Sequence, residues 1–143
     1  MKFFMIIFLL TQLSSLWAGS FTEYPGAKFD KELTEKAKEE SEKAGVKSQS
    51  KVYFTSDSIE KVKNFYLKSG KEFKMGRPVQ KLNDGTIIEQ YFIIFDDAKT
   101  INTSSEWLSI QTPFIGNFEF KNGKIEFRDI RKNLTSIQIV FKK

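Results

Sequence analysis

The chain contains no cysteine and no histidine. Without cysteine no disulfide can brace it, so if exported it must rely on its hydrophobic core alone. The same absence rules out the lipidated cysteine of a lipoprotein anchor. Without histidine there is no imidazole to act as general base or metal ligand, and no serine–histidine triad. Charge of one sign is also lacking. The 23 Lys and Arg against 18 Asp and Glu give a net charge of +5, but the two signs are interspersed. No basic stripe follows a phosphate backbone, which argues against nucleic acid as a partner.

What is present begins with an apolar leader. Lys2 supplies a positive charge, Phe3 to Leu10 is an uninterrupted apolar run, and Ala18-Gly19-Ser20 is a small-residue site. This pattern predicts a secretory signal peptide over 1–18, with cleavage after Ala18 or as late as Ser20. An uncleaved N-terminal anchor is the alternative. The run is short for a bilayer span, and no later apolar run is long enough. The expected mature product is therefore one domain over 19–143, periplasmic or secreted, with no stable membrane insertion.

The chain is organised around Lys51 to Gly70. Val52, Tyr53 and Phe54 are β-branched and aromatic, which favours a strand. Thr55-Ser56-Asp57-Ser58 offers short oxygen-bearing side chains where a helix starts, and Asp57 with Glu60 predicts a capping box. Ile59, Val62, Phe65 and Tyr66 then form one apolar stripe. Gly70 fits the end of the helix, where a positive φ is needed. The expectation is a helix laid across one face of a sheet that contains Val52 and Phe54. An anion or metal site at Thr55–Ser58 is the functional alternative to capping.

Before this unit, Tyr24-Pro25-Gly26 is turn chemistry. Asp30 to Ala44 reads as a charged peripheral helix, capped by Asp30 and ended by Gly45. Its apolar stripe, Phe29, Leu33 and Ala37, is thin, and Glu32–Lys36 and Glu39–Lys43 are spaced for ion pairs. After Gly70 the chain reads as strands. Asn83-Asp84-Gly85 and Asn122-Gly123 are hairpin turns. The arm Thr86 to Phe95 is apolar enough for a central strand. Glu106 to Thr112, Phe114 to Phe120, Lys124 to Ile130 and Thr135 to Phe141 complete the set. The order predicts an α+β two-layer sandwich: about two helices on one face of a mainly antiparallel sheet of five to six strands.

Tyr24-Pro25-Gly26-Ala27, the strand residues Val52-Tyr53-Phe54, Thr55-Ser56-Asp57-Ser58, Glu60-Lys61-Val62 and Phe65-Tyr66 together resemble a set of small exported bacterial proteins of uncharacterised function. These open on a YPGA-like segment and carry a TSDS–EKV–FY strand–helix unit. The resemblance spans roughly Tyr24 to Tyr66. It implies a bacterial cell-envelope setting and a helix on a sheet, and it brings no catalytic residue with it.

Three constellations are candidates for chemistry. Asp96-Asp97 with Glu89 suggests calcium, against a plain strand-end turn. Glu119 and Glu126 face each other across a hairpin, the pairing a carboxylate-dependent hydrolase would use. Trp107, Phe114 and Phe118 suggest an apolar binding patch, against simple core packing. The expected function is a non-enzymatic cell-envelope domain that binds a protein partner or a small ligand, with no cofactor and no metal. A cystatin-like inhibitor is the second reading and the hydrolase the last. Phe65→Asp should unfold the domain. A variant that kept the parent melting temperature would show that the helix stripe is not packed.

Overall fold

The computed structural model describes residues 21–76 and 78–142. The signal-peptide expectation falls on 1–18, outside the described residues. The elements are β1 (Lys28–Phe29), α1 (Lys31–Lys43), β2 (Ser48–Thr55), α2 (Ile59–Tyr66), β3 (Lys71–Phe73), β4 (Val79–Lys81), β5 (Ile87–Ile94), β6 (Glu106–Thr112), β7 (Phe114–Lys121), β8 (Lys124–Arg131) and β9 (Thr135–Lys142). The fold is α+β with antiparallel pairing throughout, as the element order predicts.

The sheet has seven strands rather than five or six, because the short strands β1, β3 and β4 extend its edges. Its main path runs β1-β2-β9-β6-β5-β3, and β4 also pairs with β5. The two middle strands are β9 and β6. The apolar arm β5 therefore lies one place nearer the edge than its composition suggests. β7 and β8 form a separate two-stranded ribbon, which leaves the sheet between β6 and β9. Asn122 and Gly123, both at positive φ, turn it, as the Asn-Gly signal requires.

Period-two alternation gives the sheet two different faces. One carries Tyr53, Ile137, Ile139, Leu108, Ile110 and Ile93, all in the core with Ile59, Val62 and Tyr66 of α2. Each such burial stabilises by about 1.5–3 kcal/mol. α2 thus lies across one face of the sheet that contains Val52 and Phe54, as predicted, and the face it covers is the one that holds Tyr53. Alternation forces this choice, since one face only can hold each parity of residue. Lys63 anchors the helix laterally, 3.5 Å from Glu72 on β3 and 3.9 Å above the Tyr91 ring.

The caps differ in detail from the sequence expectation. Ser58, not Asp57, caps α2, accepting from the Lys61 N–H at 3.3 Å. Asp57 is drawn away by stronger partners: the Tyr24 hydroxyl at 2.7 Å and the Lys61 ammonium at 3.0 Å. α1 is capped by Asp30 and followed by Gly45 at φ 68°, both as predicted. It has no buried residue and packs along β2, where the Thr34 hydroxyl accepts from the Val52 N–H at 2.9 Å. Its position separates the two helices: Leu33 and Ala37 face the Val52 side of the sheet, opposite α2. The anticipated Glu32–Lys36 and Glu39–Lys43 pairs give way to Lys36–Asn117 and Lys43–Glu40.

Gly70 is needed for space rather than for φ. A Cβ there would lie 2.5 Å from Ile93 Cγ2 and 3.0 Å from the Ile94 carbonyl. The end of α2 can therefore touch β5 directly. Gly70→Ala should destabilise the protein by about 1–3 kcal/mol, as overpacking does. Urea unfolding measures this, and a stabilised variant, the usual result where alanine fits, would show that the approach is looser.

Candidate functional site

The second sheet face buries Val52, Ile88, Ile94 and Val140 and also carries a polar patch. β9 presents Ser136 and Gln138, β6 presents Ser109 and Gln111, and β5 presents Ile88 and Gln90. Cross-strand register brings them together: Gln138 opposes Ser109 and Val52, and Gln111 opposes both Ser136 and Gln90. The result is a contiguous floor of neutral amides and hydroxyls. A long helix could not bury its apolar stripe well against such a surface, because unpaired polar groups cost free energy when dried.

Two walls rise from this floor. α1 supplies Leu33, Lys36, Ala37 and Glu40, at the i, i+3, i+4, i+7 positions of one helix face. The ribbon supplies Phe114, Ile115, Phe118 and Phe127 on the other side. The cleft between them has a volume of ≈ 440 Å³, within the range of about 300–1,000 Å³ usual for ligand sites. The walls meet where the Lys36 ammonium donates to Asn117 Oδ1 at 3.0 Å. The ribbon base is set by Gly116, which faces Asp129 so closely that any Cβ would enter its carboxylate. Asp129 takes φ 51° and pairs with Arg131 at 2.9 Å, and Arg131 lies 4.8 Å above the Phe114 ring.

Much of the floor's hydrogen-bonding capacity is unspent. Among the described residues, the side chains of Gln90, Gln138 and Ser109 bond to no protein group. Gln111 reaches only the Pro113 carbonyl at 3.5 Å, and the Ser136 hydroxyl only the Gln111 carbonyl at 3.4 Å.

The structure divides the three aromatics singled out by sequence. Phe114 is both core and wall: it is 1 % exposed, lies 5.9 Å from the Phe54 ring and lines the cleft. Phe118 is 53 % exposed, also lines the cleft and meets Phe120 edge-on. Trp107 lies further along β6, packed on Phe92, outside the cleft lining. Sequence reasoning missed the floor itself. The signal was there as Ser-x-Gln in β6 and β9, at positions alternating with Ile110, Ile137 and Ile139.

The carboxylate candidates have structural partners. Asp96 accepts from the Ala98 N–H, the Ser104 and Ser105 hydroxyls and the Ser105 N–H at 2.6–3.2 Å. Asp97 faces solvent near Lys71, so the two do not converge. No cluster of three metal-ligating side chains occurs among the described residues. Glu119 and Glu126 do pair across the ribbon, but Arg128 lies between them at 3.1 and 3.5 Å. In the Thr55–Ser58 segment, the Thr55 hydroxyl takes the Asp57 N–H and Ser58 caps α2. No helix among the described residues is long and apolar enough to cross a membrane.

No protein-family model, curated protein or solved structure matches this chain. The cleft must be read from its own chemistry.

Asp96 generates a pH prediction. Desolvation pushes its carboxyl up, but the donors from Ser105, Ser104 and Ala98 outweigh it and hold the pKa at about 2, below the ordinary 3.8. A depressed carboxylate adds stability that is complete above its unfolded pKa and fades as pH falls through its folded one. Asp96→Asn should thus cost about 1–2 kcal/mol at neutral pH. The gap from the parent should narrow between pH 4 and pH 2, the window set by those two values. Urea unfolding across that range checks it; a gap independent of pH would refute the assignment.

Proposed function

We propose that this protein is a non-enzymatic ligand-binding domain of the cell envelope, and that its site is the cleft between α1 and the β7–β8 ribbon. One observation carries the reading: a ligand-sized hollow whose floor holds uncommitted amide and hydroxyl groups and whose wall is aromatic. Sites for small molecules have this make-up, with apolar walls for affinity and a few polar groups for orientation. The apolar leader and the resemblance to exported bacterial proteins supply the cell-envelope setting. Glu119 and Glu126, the pair a hydrolase would use, are engaged by Arg128, which favours the binding reading over catalysis.

Native mass spectrometry of protein isolated gently from its own cell envelope tests this. The expected result is a mass excess from a bound small molecule, abolished by Ser136→Phe, which fills the floor, at an unchanged melting temperature. A clean monomer mass, or an adduct that survives Ser136→Phe, would overturn the cleft as the site.

A further inference from the structure

We infer that the cleft takes a neutral oligosaccharide, with sugar hydroxyls on the glutamine and serine floor and an apolar ring face against Phe118 and Phe127; this rests on the ligand-binding reading above. The floor is the first reason. Gln90, Gln111 and Gln138 each carry a donor and an acceptor on one side chain, and Ser109 and Ser136 carry both on one oxygen. A sugar hydroxyl is likewise donor and acceptor, so adjacent hydroxyls match this carpet. A fatty chain would dry the same groups without replacing their water bonds, at a cost for each.

Charge is the second reason. Among the described residues, no ionisable group belongs to the floor. At the rim stand Lys36 and Glu40, of opposite sign, and Lys36 is held by Asn117. An anionic or cationic ligand would lose hydration with no counter-charge beneath it.

The ribbon supplies the third. Phe118 opposes Phe127 and Phe120 opposes Ile125 in register, so all four share one ribbon face. Phe118 and Phe127 belong to the cleft wall, while Phe120 and Ile125 continue outward, 73 % and 51 % exposed. An aromatic strip that begins in the cleft and runs beyond it suits a chain of rings rather than a single one. On the opposite ribbon face, Glu119, Glu126 and Arg128 pair with one another, which keeps their charge off the strip.

The test is a titration of isotope-labelled protein followed by NMR, reading the side-chain amide signals of Gln90 and Gln138. Cellotriose, chitotriose and maltotriose are the neutral probes; trigalacturonate and laurate are the charged and fatty ones. At least one neutral trisaccharide should shift both signals. Gln138→Ala and Phe118→Ser should each weaken it about tenfold, the scale of one lost hydrogen bond or ring contact, with the melting temperature unchanged. No shift from any neutral probe, or shifts that persist in both variants, would overturn the inference. If laurate or trigalacturonate moves the signals instead, the saccharide class falls and the binding site stands. If no probe moves them and no adduct is found by mass, both fall.

Discussion

Tyr66 sits at the centre of the molecule with 1 % of its surface exposed. Phe21 stacks on it at 5.7 Å, Phe65 and Phe95 meet it edge-on, and Tyr24 lies 6.4 Å away. The contact of this aromatic group with one sheet face is what the remaining structure depends on. With no disulfide, the chain has to place most of its large apolar side chains in one layer, and α2 is the lid of that layer. Gly70 lets the lid close, because only a residue without a side chain fits between Tyr66 and β5. The main cluster lies on one face, and the other buries a smaller set, Val52, Ile88, Ile94 and Val140. Amides and hydroxyls are therefore tolerated on that second face, and the cleft forms over them.

The local elements were legible because their signals are local. Asp30 and Gly45 bound α1, Asn122-Gly123 turns the ribbon, and the spacing of Ile59, Val62 and Tyr66 defines the face that α2 buries. What was not legible is parity and placement. Val52, Tyr53 and Phe54 are all apolar, so nothing in the run says which residues meet the helix. The register with Ile137 decides for Tyr53. Composition alone does not show that β7 and β8 leave the sheet, since their alternation is that of any half-buried pair. The candidate site was half legible. Phe114 and Phe118 line the cleft, whereas Trp107 lies outside it, and the glutamines drew no attention because each alone is an ordinary strand residue.

Two stretches distant in sequence, YPGA and TSDS, meet in space. The Tyr24 hydroxyl donates to Asp57 at 2.7 Å, and the Tyr24 ring packs edge-on against Phe65 at 5.2 Å. Burial pushes the Tyr24 phenol up to about 12, with Asp57 adding to the effect. Tyr24 thus stays protonated and donates across the ordinary pH range. Thr135 at the start of β9 joins the same point by donating to the Asp57 carbonyl at 2.8 Å. These residues therefore fasten the N-terminal segment over the end of the core. Their contact gives these two stretches of sequence an architectural role.

The cleft follows from the same division of labour. A polar sheet face left open to water would need no walls, yet this one has two, joined by Lys36 and Asn117. α1 has too narrow an apolar stripe to seal the floor, and the ribbon pairs only with itself, apart from the main sheet. Each wall leans over the floor without filling it. Stability alone would be served better by an apolar floor and a fully docked helix, since that arrangement buries more area at no polar cost. Five neutral hydrogen-bonding side chains kept together beneath an aromatic wall are a departure from that optimum. Such departures from local consistency are where function is expected to sit.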